Sequence, residues 1–104
     1  MSTGRSAMRE VSPKLEEMSA EVLFGDIWER PELSKRDRSL ITVANLVVLY
    51  RTDQLKGHIG RALDNGVTKE EIGEIILHVT FYGGWPVGAN AVKVAKEVFD
   101  ERGI

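Results

Sequence analysis

Residues 40–50 read LITVANLVVLY, and this stretch decides the fold class. Only Thr42 and Asn45 in it are not hydrophobic, so a helix built from it is apolar on every side. Such a helix must be buried all round, and the other helices of a 104-residue chain cover only part of it. The part of this helix that the other helices leave uncovered predicts a subunit interface. The stretch is also far shorter than the roughly 20 residues needed to cross a bilayer.

The sequence upstream predicts a tail and two helix starts. Residues 1–11 show no apolar pattern, which predicts a flexible N-terminal tail. Ser12 followed by Pro13 is typical of a helix N-terminus, and this first helix is expected to end near Gly25. Ser34 then begins a capping-box pattern that opens the helix carrying residues 40–50. Residues 12–104 are therefore expected to form one helical domain.

Downstream, the pattern predicts three more helices. The third is expected to start with Asp53 as its cap and to end at Asn65-Gly66, the fourth follows a capping box that opens at Thr68, and the fifth starts at Pro86 after Gly83-Gly84. No segment alternates apolar and polar residues over the length of a strand. The predicted fold is therefore all-α, a compact bundle of five to six helices.

Composition limits the classes of partner and the compartment. The chain has 14 Lys plus Arg against 16 Asp plus Glu and a formal net charge of −2. No block of like charge stands out, which argues against a nucleic acid or an anionic membrane as partner. A small molecule or another copy of the chain is expected instead. With no cysteine and no apolar N-terminal segment of signal-peptide length, a cytoplasmic protein is expected.

The two histidines both lie beside apolar helical stripes. His58 borders the stripe of the third predicted helix, and His78 borders that of the fourth, where Glu74 is its expected partner. A lone histidine in such a place usually has a structural role, with its ring hydrogen-bonded to a carboxylate or a carbonyl group. Neither HxH nor HExxH spacing occurs, and no Gly-rich phosphate loop or serine elbow is present. Neither a metal nor a cofactor is expected.

An aromatic and cationic group of residues falls at the ends of the predicted helices. Trp28 and Trp85 each sit in a turn close to a proline, where the wall of an apolar pocket can form. Arg51 and Tyr82 occupy similar positions. For Phe24, ordinary packing in the core is at least as good an interpretation.

Five linked motifs lie between residues 20 and 100: FGDIW at 24–28, RSLIT at 38–42, LKGH at 55–58, NGVT at 65–68 and YGGWP at 82–86. Together they resemble the carboxymuconolactone decarboxylase family. The resemblance implies the alkyl hydroperoxidase D-like helical fold and assembly into a homo-oligomer, a trimer or a hexamer.

The same superfamily contains a thiol branch, in which a CxxC pair precedes the helical histidine by four residues and a glutamate lies a dozen residues earlier. Here the cysteine positions hold Arg51 and Gln54, and the glutamate position falls near Ser39. A peroxide-reducing relay needs a thiolate and a resolving thiol, so thiol peroxidase activity is excluded.

What the resemblance implies is a cofactor-independent decarboxylation of carboxymuconolactone in the breakdown of aromatic acids. The electrons left by carbon dioxide spread into a dienolate, so the protein need only stabilise charge and supply a proton. In this scheme His58 is the catalytic residue, which hydrogen-bonds the enolate or delivers the proton. Arg51 binds a substrate carboxylate, and the site walls are Trp28, Tyr82 and Trp85.

Two other functions stay open at this point. Trp85 is larger than the residue that pathway decarboxylases of the family tend to carry there, so a related unsaturated lactone or β-keto-type acid is an equally good substrate. The same histidine would also serve a lactone isomerase or tautomerase. Ser39 in place of an acid is compatible with a non-catalytic, oligomeric protein that binds a small ligand.

Overall fold

The computed structural model describes residues 4–104, with side chains from Ala7 onward. The described residues form helices and connecting turns and no strand, which confirms the all-α prediction. The α-helices are α1 (Gly4–Val11), α2 (Pro13–Met18), α3 (Lys35–Val48), α4 (Thr52–Asp64), α5 (Lys69–Gly83) and α6 (Trp85–Arg102). A π-helical segment (Ser19–Phe24) continues α2, and a short 3₁₀ turn (Ile27–Glu29) follows it.

The chain divides into two compact units, one up to Ser34 and one over Lys35–Ile104. In the first unit, residues 4–11 of the predicted tail form helix α1, so regular structure extends further towards the N-terminus than the sequence pattern indicated. The rest of that tail, residues 1–3, lies outside the described residues. The flexibility of the segment stays a prediction.

The first helix of the sequence pattern starts and ends where expected. Ser12 is the N-cap of α2 and Pro13 follows it, but the Ser12 side chain makes no capping hydrogen bond. The helical path continues as a π-helix to Phe24 and stops at Gly25. A Cβ atom on Gly25 would come 2.7 Å from the carbonyl oxygen of Glu21, so this tight exit accepts only glycine.

The second unit is a four-helix bundle. Helix α3 packs against α4 and α5, and α6 packs against the same two helices, so α4 and α5 lie on opposite sides of the bundle. Each helix turns its apolar stripe inward. The core that results consists of Val43, Val47, Leu55, Ile59, Ala62, Val67, Ile72, Ile76, Ala91, Ala95 and Val98.

Polar contacts at the two ends of the bundle show how the helices run relative to one another. At one end Arg36 pairs with Glu71, which joins the starts of α3 and α5. Arg102 pairs with Asp64 at 2.9 Å, which joins the ends of α4 and α6. At the opposite end the Nδ2 atom of Asn90 donates to the Tyr50 hydroxyl at 3.0 Å. Helices α3 and α5 are therefore parallel to each other and antiparallel to α4 and α6.

The helix boundaries follow local chemistry. The capping box at Thr68 is confirmed, because Glu71 N donates to the Thr68 hydroxyl and Thr68 N donates to the Glu71 carboxylate. Gly66 has a φ of +97° and Gly84 a φ of +109°, a conformation that glycine adopts without strain. At α4 the prediction of Asp53 as the cap is wrong, because Arg51 is the N-cap residue and Asp53 lies in the first turn.

Helix α3 is less buried than its composition predicts. Val43 and Val47 are buried on its inner side, as is Ser39, while Ile41 is 57% exposed. The expectation that this helix is buried all round therefore does not hold within one chain. Whether a second copy covers the outer side of α3 stays a prediction.

The Thr68 capping box gives a direct test of these boundaries. Thr68→Ala removes the acceptor for Glu71 N, so we expect a loss of about 1 kcal/mol in the free energy of unfolding, measured by urea denaturation. Ser12→Ala is the matched control, because the Ser12 side chain makes no capping hydrogen bond, and its effect should stay below about 0.5 kcal/mol. Equal losses in the two variants would contradict this account.

Candidate active site

His58 lies near the middle of α4, at the edge of the buried face. The same helix buries Leu55, Ile59 and Ala62 in the core. His58 is three residues from Leu55 and four from Ala62, so it lies on the same side of the helix but off the centre of the core face. Its ring is half-buried, and the Nδ1 atom is shielded from solvent.

This placement controls the protonation of His58. Burial lowers the pKa of the imidazole below its ordinary value of 6.5, because the charged form loses hydration, and the positive charge of Arg61 lowers that pKa further. Arg61 lies three residues after His58 on the same helix. The folded protein therefore favours a neutral imidazole at neutral pH, which can donate a hydrogen bond or accept a proton.

Arg51 is an exposed residue at the start of the helix that carries His58. As the N-cap residue of α4 it makes no side-chain capping hydrogen bond. It precedes His58 by seven residues, about 10 Å along the axis of α4. The amide groups and the dipole at a helix N-terminus attract anions, and the guanidinium group adds a full positive charge there.

The other three predicted site residues occupy different places. Trp28 belongs to the first unit, where it is buried and stacks on Phe24 with 6.0 Å between ring centroids. Tyr82 and Trp85 lie at the junction of α5 and α6 and are 80% and 72% exposed. Since α4 and α5 are on opposite sides of the bundle, the second unit does not bring Tyr82 together with His58.

Three surface pockets follow α5 and α6. A pocket of about 270 Å³ contains Trp85, and a neighbouring one of about 350 Å³ is lined by Glu74, Leu77, His78, Phe81 and Tyr82. A third, of about 320 Å³, lies between the start of α5 and the end of α6. None of these three contains Arg51 or His58. The role of Trp28, Tyr82 and Trp85 as walls of one site stays a prediction.

His78 does not pair with Glu74, the partner that the sequence predicts for it. The residue is exposed, and its ring lies 5.1 Å from that of Tyr82. No hydrogen bond joins it to Glu74 among the side chains from Ala7 onward, although both residues line the same pocket. His78 thus belongs to the surface of α5 rather than to the surroundings of His58.

Sequence reasoning missed the roles of Ser39 and Arg61. Ser39 is 1% exposed, and its hydroxyl accepts a hydrogen bond from Asn65 Nδ2 at 3.0 Å. Ser39, near the position where the thiol branch has an acid, thus forms a polar link between α3 and the end of α4. For Arg61 the spacing of three residues from His58 was the available signal, whereas nothing in the sequence pairs Ser39 with Asn65.

Residues 4–104 contain no group of three or more His, Asp or Glu side chains arranged to hold a metal ion. Over the same residues no helix combines the length and the hydropathy needed to span a bilayer.

The chain is similar in sequence to several known proteins. Residues 13–97 match the model of the carboxymuconolactone decarboxylase family. A 4-carboxymuconolactone decarboxylase of Acinetobacter baylyi is 44% identical over 81 residues, which are 78% of this chain and 60% of that protein. Nitrosuccinic acid decarboxylase of Metarhizium robertsii is 31% identical over 99 residues, 92% of this chain and 69% of the relative. An uncharacterised 15.0 kDa protein of Paracoccus denitrificans is 31% identical over 97 residues, 91% of this chain and 72% of its own length.

The lowered pKa of His58 predicts how stability depends on pH. Below about pH 6.5 the unfolded chain binds a proton at His58 that the folded protein resists, so the stability contributed at higher pH is lost as the pH falls. We expect wild type to lose stability relative to His58→Gln between pH 7.5 and 5, in urea denaturation at each pH. Arg61→Gln should lose less stability than wild type over the same pH range, because it removes one cause of the lowered His58 pKa. Parallel pH profiles for wild type and His58→Gln would contradict the assignment.

Proposed function

The chain belongs to the carboxymuconolactone decarboxylase family, and we propose that it is a cofactor-independent decarboxylase acting on a small carboxylated lactone or a related acid. The observation that carries this proposal is a half-buried His58, with its pKa lowered by burial, on a helix whose N-cap residue is Arg51, in a chain without cysteine. Aromatic-compound catabolism is the proposed setting, and the cytoplasm the proposed location.

The proposed reaction breaks the bond between a carboxylate carbon and the neighbouring carbon atom. Carbon dioxide leaves, and the electron pair moves into a conjugated acceptor, which becomes an enolate. His58 donates a hydrogen bond to that enolate from a poorly solvated position, where such a bond stabilises charge more than it does in water. A proton taken up from solvent by His58 is then transferred to carbon, after which the imidazole is neutral again. Arg51 holds a second carboxylate of the substrate, the one that is kept, by a charge-assisted hydrogen bond.

The names of the relatives support a substrate class rather than one compound. Carboxymuconolactone and nitrosuccinic acid are both small acids with more than one carboxylate and a group that accepts electrons. An arginine at the start of α4 and a neutral imidazole two turns later suit this class, because one group binds charge and the other meets the reacting end. We propose a small polycarboxylic acid with such an acceptor as the substrate.

A lactone isomerase is the second candidate, and the neutral state of His58 favours it. A neutral imidazole can remove a proton from carbon and return it to another position, without loss of carbon dioxide. Carbon dioxide release from a panel of carboxylated lactones and nitro acids identifies the decarboxylase. Deuterium exchange into lactones that lack the carboxylate identifies the isomerase. If neither carbon dioxide release nor deuterium exchange is observed, the remaining candidate is a non-catalytic ligand-binding protein.

His58→Gln tests the catalytic assignment. The glutamine side chain still donates a hydrogen bond, but it cannot exchange a proton at neutral pH. We expect turnover to fall at least about 100-fold, the usual contribution of a general acid or base, in the carbon dioxide release assay. His78→Gln, on the exposed side of α5, should keep turnover within about two-fold of wild type. Full activity of a folded His58→Gln variant would exclude this mechanism.

Arg51→Gln tests the carboxylate-binding role. Losing a charge-assisted hydrogen bond costs about 1.5–3 kcal/mol, so KM should rise on the order of 10- to 100-fold while kcat changes much less. Lys93→Gln removes an exposed positive charge from α6 and is the matched control for overall electrostatics. Similar KM changes in both variants would show that Arg51 acts only through net charge.

A further inference from the structure

Tyr50 has an unfavourable backbone conformation at the corner between α3 and α4. Its φ is +60°, and within the described part of the chain it is the only residue other than glycine with a positive φ. In this left-handed region the Cβ atom of an L residue comes too close to the following carbonyl oxygen. The backbone at Tyr50 is therefore strained, whereas a glycine there would not be.

Two backbone hydrogen bonds close this corner. Tyr50 N donates to the Val47 carbonyl oxygen at 3.1 Å. Arg51 N donates to the Leu46 carbonyl oxygen at 3.0 Å. The pair forms a Schellman motif, in which Tyr50 has the position that glycine usually occupies. The motif holds the backbone of Arg51, the N-cap residue of α4, against the last turn of α3.

Two other helices end with the same pair of hydrogen bonds, and glycine holds the equivalent position in both. Gly66 follows α4 with a φ of +97°, and Gly103 follows α6 with a φ of +69°. At each, the glycine N–H bonds the carbonyl three residues back, and the next N–H bonds the carbonyl five residues back. The corner thus forms without a side chain, so closing it does not require the tyrosine ring of Tyr50.

The Tyr50 side chain instead makes a contact with α6. Asn90 Nδ2 donates to the Tyr50 hydroxyl at 3.0 Å, and the same atom donates to the Pro86 carbonyl oxygen at 2.9 Å. Tyr50 is 55% exposed, so burial of its ring offsets the backbone strain only in part. Strained backbone of this kind is concentrated at functional sites. The hydroxyl contact with Asn90 is therefore a candidate for the function of this residue.

Arg51 is the residue that a fixed corner affects most. Its side chain is exposed and long, and binding a carboxylate costs the conformational entropy of such a side chain. That cost is smaller when the backbone from which the guanidinium group extends is already held in place. Here the corner is held by α3 through the Arg51 N–H and by α6 through Asn90.

We propose that Tyr50 is a positioning residue for substrate binding, which holds Arg51 in place through the hydrogen bond to Asn90. This inference rests on the proposed function, in which Arg51 binds the carboxylate that the substrate keeps. Tyr50 itself does not touch the substrate in this scheme. Tyr50 and Asn90 act as one unit, and they act only through Arg51.

Steady-state kinetics in the carbon dioxide release assay test the proposal. Tyr50→Phe removes the hydroxyl and keeps the left-handed backbone. We expect KM to rise about three- to ten-fold, the usual effect of one lost hydrogen bond, with kcat within about two-fold of wild type. Asn90→Ala should give the same rise, and the double variant no further rise, because the two side chains act as one unit.

Asp64→Ala is the matched control. It removes another polar contact of α6, the pair of Arg102 and Asp64 at the opposite end of the bundle. KM in this variant should stay within about two-fold of wild type, because the site is distant. An equal rise of KM in Asp64→Ala and Tyr50→Phe would mean that any loosening of α6 weakens binding, and it would overturn the proposal.

Tyr50→Gly provides a second variant if Tyr50→Phe does not fold. Glycine adopts the positive φ without strain, as it does at Gly66 and Gly103, and it also lacks the hydroxyl. The rise of KM should equal that of Tyr50→Phe. A wild-type KM in a folded Tyr50→Gly variant would show that the side chain has no role in binding.

The Arg51→Gln background shows whether Tyr50 acts through Arg51. Adding Tyr50→Phe to Arg51→Gln should leave KM within about two-fold of Arg51→Gln alone. A further rise would mean that Tyr50 acts on the substrate independently, and it would overturn the positioning role. With an active wild type, an unchanged KM in Tyr50→Phe overturns only this inference. A wild type without turnover on any compound of the panel overturns the proposed function and this inference with it.

Discussion

Burial of Leu55, Ile59 and Ala62 fixes the rotation of α4, and the candidate site depends on that rotation. Side chains on a helix are spaced about 100° apart, so once these three residues enter the core the direction of His58 is set. His58 is left at the margin of the buried face. There it loses enough hydration for its pKa to fall, yet it remains close to the surface, where a substrate can reach it.

The chemistry of this position follows from what surrounds the histidine. A neutral imidazole on the same helix as arginine side chains suits reactions that develop negative charge on a substrate. The proposed steps require neither a thiol nor a metal. Arg51 occupies a position where the thiol branch of the superfamily has a cysteine. Ser39, near the position of its acid, accepts a hydrogen bond from Asn65. In the proposed mechanism this helical frame serves charge stabilisation in place of thiol chemistry.

Helices α5 and α6 pack closely at one point of the bundle. Because Gly88 has no side chain, α6 approaches α5 until it meets Thr80, and little space remains between the helices. The large side chains of Phe81 and Trp85 lie on the outer surface of these helices, where their rings meet edge to face.

Local signals in the sequence determined the helices: the capping box at Thr68, the glycine at Gly66 and the apolar periodicity were each sufficient to predict an element, and five linked motifs were sufficient to predict the family. They also predicted that His58 borders a buried face, since that depends only on spacing along one helix. Which helices become neighbours was decided by the packing of the whole bundle. Spacing along the chain cannot show that α4 and α5 lie on opposite sides, that Ser39 meets Asn65, or that Trp85 faces solvent. These relations depend on contacts between residues far apart in sequence, and the tertiary structure alone establishes them.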